Sequence, residues 1–180
     1  MTKKLFFFLL LLTCASSISA QHISFAGIKL GQSESVVDRN LRQKGFAFQG
    51  INNVFLSRMY EGAFWNYDKS WINLYSENGI ATGVLVSPQG VYYHSNYNKL
   101  VKALDKKYGK HYNASGRFNM YLLGDERLQY YWKVAGGYIV TYCLDKENSN
   151  QVSFAIYFLD NLSNYVTKER GRSRNRSNDL

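Results

Sequence analysis

The chain has 180 residues, of which 46% are hydrophobic and 16% aromatic, and it carries a formal charge of +9 at pH 7. This much apolar material excludes an intrinsically disordered protein and predicts a packed core. The chain contains only two cysteines, Cys14 and Cys143, which excludes a small scaffold held together by several disulfides.

The first twenty residues have the pattern of a signal peptide. A basic start at Lys3 and Lys4 precedes the apolar run Leu5–Leu12, and small residues follow as far as Ala20. The apolar run is too short to span a membrane, because a span needs about 20 residues. We therefore expect 1–20 to be a signal peptide cleaved after Ala20, and the protein to be exported, either periplasmic or secreted.

A bacterial lipid anchor on Cys14 is the alternative fate of this segment. Thr13 argues against it, because Gly or Ala usually precedes a cysteine that accepts lipid. After cleavage at residue 20, Cys143 is the one remaining cysteine, so no intramolecular disulfide can form. The formal charge then falls from +9 to +7 with the loss of two lysines.

We expect a single α+β domain over residues 21–160, with half-repeats at 21–90 and 91–160. In the first half, His22–Leu30 is predicted to be an opening strand with a bulge at Gly27, and Glu34–Lys44 a short helix. The following strands are Phe46–Gln49, Val54–Tyr60, Ala63–Tyr67, Trp71–Tyr75 and Ile80–Val86. Gly50–Asn53 is predicted to be a turn, and the dipeptide at 78–79, Asn-Gly, is a strong hairpin signal.

The second half is organised around a predicted helix at Ser95–Gly109. Its apolar residues recur at helical spacing and form one stripe: Tyr97, Leu100, Val101, Leu104 and Tyr108. Ser95 suits the N-cap, and Gly109 suits the left-handed residue that ends a helix. The strands expected after it are Phe118–Leu123, Arg127–Ala135, Tyr138–Leu144 and Val152–Phe158. The predicted fold class is therefore α+β, an antiparallel sheet of about eight strands with two helices packed on one face, arranged as two tandem helix-plus-four-strand units.

The opening of the first half resembles small exported proteins of Gram-negative bacteria. The residues that carry the resemblance are Phe25-x-Gly27-Ile28-x-Leu30-Gly31-x-Ser33, followed by Val37, Leu41 and Gly45-Phe46. The pattern is similar to that of the outer-membrane-assembly lipoproteins and of the β-lactamase inhibitor protein-like fold. The resemblance implies helices on one face of an antiparallel sheet, a unit that is often repeated, and a non-enzymatic role in binding a partner.

The double glycine at 136–137 predicts which side chains share a face. If both glycines form the turn, Ala135 pairs with Tyr138 and Val134 with Ile139. The core face then carries Leu128, Tyr130, Trp132, Val134, Ile139 and Cys143, together with Val152, Phe154, Ile156 and Phe158. In the hairpin at 78–79, one face carries Ile72, Leu74 and Leu85, and the other carries Trp71, Tyr75, Thr82 and Val84.

The sheet face turned away from the helices is predicted to be rich in Tyr and Trp. Such rings supply a large contact area at low entropic cost, which is typical of a recognition surface. The expected binding residues are Tyr131, Tyr138, Tyr142, Tyr157, Trp71 and Tyr75. The alternative is that these are ordinary strand residues covered by edges or loops.

Motifs for catalysis are absent from the sequence, which has no HExxH, CxxC pair, Walker loop or GxGxxG. The histidines, which lie far apart, are His22, His94 and His111, and we expect structural or surface roles for them. Asp125 and Glu126 are adjacent carboxylates with ordinary turn chemistry. We therefore expect a non-enzyme with no catalytic residues, no metal site and no cofactor. The less favoured alternative is a hydrolase that uses Cys143 or His111.

Residues 161–180 are predicted to form a basic, disordered tail. It carries alternating arginines at Arg170, Arg172, Arg174 and Arg176. No aromatic residue lies within 168–180 to stack on bases, and export argues against nucleic acid, so we expect no nucleic-acid partner. The favoured partner is a protein or another macromolecule of the cell envelope. The alternative function is that of an envelope protein held on anionic surfaces by these arginines, as a peripheral membrane contact.

Overall fold

The structure, a computed structural model, describes residues 21–53, 56–114, 118, 128–147 and 149–165. Some of the predicted features lie outside these residues. They are the signal peptide with Cys14, the tail arginines, the Asp125-Glu126 pair and nearly all of the predicted strand Phe118–Leu123. In the described part, the helices are α1 (Glu34–Gln43) and α2 (His94–Tyr108). The strands are β1 (Ser24–Phe25), β2 (Ile28–Lys29), β3 (Ala47–Asn52), β4 (Ser57–Phe64), β5 (Tyr67–Glu77), β6 (Ile80–Pro88), β7 (Tyr92–Tyr93), β8 (Tyr112–Asn113), β9 (Leu128–Val134), β10 (Gly137–Asp145) and β11 (Gln151–Asp160).

The described strands form one large antiparallel sheet and a small two-stranded one. The large sheet has nine strands in the order β3-β4-β5-β6-β11-β10-β9-β8, with β7 paired to β11. Each half of the chain supplies a helix followed by a four-stranded meander, and the two meanders join where β6 pairs with β11. The predicted fold class is confirmed.

The main core lies between the helices and one face of the sheet. The apolar stripe of α1 buries Val37 and Leu41, and that of α2 buries Tyr97, Leu100 and Val101. The sheet contributes Tyr60, Ile72, Leu74, Val84, Val86, Trp132, Ile139, Cys143, Val152, Phe154, Ile156 and Phe158 to the same cluster. One continuous core therefore spans both halves of the chain.

The opening segment is a hairpin and not the single strand predicted over His22–Leu30. Ala26 and Gly27 have φ angles of 49° and 76°, which places both in the left-handed region. Two consecutive residues with positive φ form a tight turn, so β1 and β2 fold back on each other. Gly27 is thus a turn residue and not a bulge.

Two turns of the first meander lie away from their predicted places. β3 runs through the predicted turn Gly50–Asn53 as far as Asn52, with a bulge in its pairing at Phe48/Gly50. The predicted strand Ala63–Tyr67 is interrupted by the β4–β5 turn at 65–66, in which Trp65 has a φ of 55°. Residues 63–64 end β4, and Tyr67 begins β5. The hairpin at 78–79 is as predicted, with φ angles of 51° and 75°.

The predicted C-terminal end of α2 is confirmed, but its predicted N-cap is wrong. Its C-terminal end is the predicted Gly109, at a φ of 87°. At its N-terminal end the cap is Tyr93 and not the predicted Ser95, because the Asn96 side chain accepts a hydrogen bond from the Tyr93 backbone nitrogen at 3.0 Å.

The predicted pairing of β9 with β10 is wrong by two residues. The turn is at 135–136, and the pairs are Val134 with Gly137 and Trp132 with Ile139. Gly136 takes the left-handed turn position at a φ of 83°. Gly137 serves a different purpose, because a Cβ added there would lie 2.1 Å from the Leu159 carbonyl oxygen. A shift of two residues preserves the alternation of faces, so most of the predicted core set is retained.

Bulges move three predicted side chains to the opposite face. A register shift at Thr141/Tyr142 pairs Tyr142 with Leu128, which therefore leaves the helix-side core. A second shift, at Tyr75/Ser76, pairs Leu74 with Val84. Val84 therefore packs in the main core and Leu85 faces away from the helices, the reverse of the prediction.

The chain remains ordered beyond the predicted start of the tail. The Asn161 backbone nitrogen donates to the Gly136 oxygen at 3.1 Å, and Ser163 is buried. The Asn164 backbone nitrogen donates to the Glu77 carboxylate at 3.1 Å. The described fold therefore reaches Tyr165, and 161 is too early a boundary for the tail.

Candidate functional site

The sheet face turned away from the helices is only partly open. Tyr75, Tyr138 and Tyr157 are 4%, 8% and 2% exposed, so the expectation of an exposed surface is wrong for these three. The other three predicted binding residues, Trp71, Tyr131 and Tyr142, are half-buried. The strand pairing places all six side chains on this one face, in agreement with the predicted alternation of side chains along the strands.

Rings from outside the central strands cover the buried tyrosines. The Phe118 ring packs edge-on against Tyr131 at 5.4 Å and against Tyr138 at 5.7 Å. Tyr165 packs on Tyr75 at 5.5 Å. Burial, followed by the nearby Tyr165 and Tyr142 hydroxyls, raises the pKa of Tyr75. Tyr138 and Tyr157 form a second, smaller core with Phe118 and with Ala114, Leu128, Val140 and Leu159.

The part of this face over β4, β5 and β6 is the more open. Trp71 pairs with Glu61 on one side and Ser87 on the other, and all three are half-buried. In the next row along the strands, Asn73 pairs with Met59 and with Leu85. Trp71 is thus a large ring set among smaller and polar neighbours.

A groove of about 590 Å³ lies on the opposite, helix-bearing side. It runs between α2, the β1–β2 hairpin and the β4–β5 turn. Most of its wall is apolar and includes Phe46, Phe64, Trp65, Leu104 and Phe158. Trp65 is 49% exposed. This volume is in the range of small-molecule sites, about 300–1,000 Å³.

A smaller cavity of about 300 Å³ adjoins the groove at Trp65 and Leu100. Its wall includes Tyr67 and Tyr92, whose rings lie 5.5 Å apart. Burial, followed by the neighbouring Tyr92, raises the pKa of Tyr67 to about 12. Sequence reasoning missed both cavities, because their walls come from segments far apart in the chain. The one local signal was an aromatic residue, Trp65, in a turn.

Every histidine in the chain pairs with an aspartate. The pairs are His22 with Asp160 at 3.0 Å, His94 with Asp145 at 2.7 Å, and His111 with Asp105 at 3.0 Å. Asp160 is fully buried, and its carboxylate also accepts from the Leu162 backbone nitrogen at 3.0 Å. The pair at Asp160 therefore ties the start of the described chain to the end of β11. Within the described residues, no group of three or more His, Cys, Asp or Glu side chains is placed to hold a metal ion.

Asp105 is the most heavily bonded of these carboxylates. Its Oδ1 atom accepts from the His111 backbone nitrogen, from His111 Nδ1 and from Trp132 Nε1, each at 3.0 Å. Burial by itself acts to raise the pKa of Asp105, but the hydrogen bonds from His111 and Trp132 outweigh it and hold the pKa below its ordinary value. The cluster joins α2 to β9.

Cys143 lies in the main core, as expected. Burial, followed by the nearby Asp145 carboxylate, raises the pKa of its thiol to about 11. Since the thiolate is the reactive form of cysteine, this environment favours an inert thiol at neutral pH.

None of the helices that the structure describes combines the length and the apolar character needed to cross a bilayer. Comparison of the chain with protein-family models, with curated proteins and with solved structures gave no match.

Proposed function

We propose that this chain is an exported, non-enzymatic protein that binds a protein partner through the more open part of the sheet face around Trp71, together with the half-buried Tyr142 on β10. The basic start, apolar run and small residues of 1–20 support export. The aromatic side chains on the face opposite the helices support binding. We name this contact region the Trp71 face, comprising Met59, Glu61, Trp71, Asn73, Leu85, Ser87 and Tyr142.

The half-buried Trp71 is the observation that carries the proposal. Its side chain is partly covered, and its cross-strand neighbours are the smaller Glu61 and Ser87. A tryptophan that is already partly packed loses little conformational entropy when a partner covers it. Tryptophan is also the residue type most enriched among interface hot spots.

Neighbouring aromatic side chains extend the same surface in a pre-packed state. Tyr142 lies 6.1 Å from the Tyr157 ring, and it pairs with the small residue Ala155. Tyr131 stacks on Tyr112 at 5.3 Å with an angle of 28° between the rings. Such contacts restrain the rings before a partner arrives.

The polar groups on the Trp71 face favour a protein over a purely anionic partner. Glu61 forms an ion pair with Lys69 at 3.0 Å, so the surface around the ring carries both signs of charge. Asn73 accepts from the Ser57 hydroxyl at 3.3 Å. An aromatic centre within a mixed polar surround is the usual anatomy of a protein–protein interface.

Site-specific photo-cross-linking in cells tests this proposal. A cross-linking amino acid at Ser87, beside Trp71, should give one adduct of defined mass whose protein partner can be identified by mass spectrometry. Adding Trp71→Ala should reduce adduct yield about 30-fold, because a hot-spot tryptophan contributes about 2 kcal/mol or more. Trp65→Ala is the matched control, since Trp65 is a tryptophan at least as accessible as Trp71 but lines the helix-side groove. Equal loss in both variants, or no discrete adduct, would contradict the proposal.

A further inference from the structure

The groove beside α2 has an apolar interior. Phe46, Phe158 and Ile156 line it from the sheet side, and Leu100 and Leu104 line it from α2. These side chains come from both halves of the chain, so the groove exists only when the two halves are packed together.

The charge around this groove has a single sign. Among its lining residues the one charged side chain is Lys107, and none is acidic. Lys44 lies close by, because its Nζ atom is 3.7 Å from where a Cβ on the lining residue Gly27 would stand. Neither ammonium group forms an ion pair within the described part of the chain. Lys107 Nζ lies 5.0 Å from the centre of the Tyr108 ring, a contact that leaves its charge without an anion. An apolar groove thus opens beside two ammonium groups that form no ion pair.

Two turns with left-handed residues border the groove. Trp65, in the β4–β5 turn, has a φ of 55°, and Ala26, in the β1–β2 turn, has a φ of 49°. A left-handed conformation costs about 1–2 kcal/mol for a residue with a Cβ. The Trp65 ring packs edge-on against Tyr67 at 5.8 Å, and Trp65 is part of the groove lining. Strain that places a large ring at an open cavity is typical of ligand sites.

We propose that the groove binds a single-chain anionic amphiphile, a fatty acid. The aliphatic chain lies against the apolar wall, and the carboxylate faces Lys107 and Lys44. The apolar lining contributes through burial of the methylene groups, and the two ammonium groups select a negative headgroup. A neutral hydrocarbon would leave both ammonium groups without an anionic partner, and a cationic headgroup would be repelled.

Laurate, titrated below the concentration at which it forms micelles, is the probe. Isothermal titration calorimetry should show one saturable site, and the Trp65 fluorescence should shift to shorter wavelength. Trp65→Phe should remove this shift while calorimetry still detects binding. The uncharged dodecanol and the cationic dodecyltrimethylammonium should each bind more weakly than laurate.

Substitutions in the groove locate the site. Ala103→Trp and Ala63→Trp each place a ring into the groove from opposite sides, and either should abolish laurate binding in a variant whose circular dichroism matches the parent. Lys107→Ala should weaken binding about two- to five-fold, as expected for one partly exposed ion pair. Lys102→Ala is the matched control, because Lys102 is exposed on the same helix and does not line the groove.

Four results would overturn the proposal. They are the absence of saturable laurate binding, undiminished binding in both groove-filling variants, equal effects of Lys107→Ala and Lys102→Ala, and equal affinity for the cationic probe. A concentration-dependent dimer that the groove-filling substitutions dissociate would show instead that a second copy of the chain occupies the groove. Trp71→Ala should leave laurate binding unchanged, so the outcome here is independent of the proposed protein partner.

Discussion

Asp105 connects α2, the segment that follows it and β9 through one carboxylate. It lies near the end of α2, and it accepts hydrogen bonds from His111 just after the helix and from Trp132 on β9. Trp132 is almost fully buried, with 1% exposure, so its indole N–H depends on this partner. A buried donor that loses its acceptor costs about 1–3 kcal/mol, which makes Asp105 a sensitive position.

Asp105→Ala should lower the free energy of unfolding by about 2 kcal/mol at pH 7. Because the pKa of Asp105 in the folded state is lowered, its contribution is fully present above the unfolded-state pKa of about 4 and is lost as the pH falls through the folded-state pKa. The difference between parent and variant should therefore shrink below about pH 4. Urea denaturation at pH 7 and at pH 3 measures both values.

Asp145→Ala is the matched control for this prediction. Asp145 also pairs with a histidine, but both partners are more than half exposed. Its loss should cost less than about 0.5 kcal/mol, because exposed ion pairs contribute little. Similar losses from the two variants would contradict a special role for Asp105.

At the scale of elements, two hairpin glycines are required for different physical reasons. Gly79, in the β5–β6 hairpin, has a φ of 75°, and an added Cβ there would have no atom within 4 Å. Gly137 does not have a left-handed φ, but its added Cβ would lie 2.1 Å from the Leu159 carbonyl oxygen. Backbone conformation selects glycine at the first position, and close strand packing selects it at the second.

Gly79→Ala should destabilise the fold by about 1 kcal/mol, the cost of a Cβ in a left-handed turn. Gly137→Ala should cost about 3 kcal/mol or more, because β10 and β11 must separate to admit the methyl group. Thermal and urea unfolding of the two variants compare these costs directly. A larger loss of stability in Gly79→Ala than in Gly137→Ala would contradict the close packing of β10 against β11 at Gly137.

At the scale of the whole molecule, the two halves share one sheet and one core. β6 and β11 pair at the centre of the sheet, and the main core includes Leu41 and Ile72 from the first half and Trp132 and Phe154 from the second. Removing either half would expose a long central strand edge and half of this core. Each half therefore depends on the other for its stability.

Fragments 21–90 and 91–165 should each fail to fold when expressed separately. Their circular dichroism and proton NMR spectra should lack the signals of fixed tertiary packing. In the intact chain, urea unfolding followed by tryptophan fluorescence and by far-ultraviolet circular dichroism should give coincident transitions. A fragment 21–90 with a cooperative unfolding transition would show that the first half is an independent domain.

Local features of the sequence predicted those parts of the fold that depend on neighbouring residues. The apolar spacing of Val37 and Leu41 predicted α1, and Gly109 predicted the end of α2. The Asn78-Gly79 dipeptide predicted its hairpin, because its residues adopt positive φ more readily than most. Bulges could not be predicted in this way, and the bulge near Tyr75 moved Val84 into the core and Leu85 to the opposite face.

The candidate sites could be predicted far less well from local sequence than the fold could. Alternation along the strands correctly placed Tyr138 and Tyr157 on the face opposite the helices. The packing of Phe118 and Tyr165 on that face could not be predicted, because no local sequence pattern indicates it. The groove beside α2 likewise needs side chains from five or more segments of the chain. No spacing rule connects such residues.

The sequence by itself determined the class of fold, the identity of both helices and the alternation of faces along most strands, because these properties follow from the periodicity of apolar residues and from local backbone preferences. Only the tertiary structure decided which tyrosines are covered, how the β6–β11 pair joins the halves, and where an apolar groove meets Lys107. Those outcomes depend on contacts between residues far apart in the chain, and such contacts are set by the packing of the whole domain.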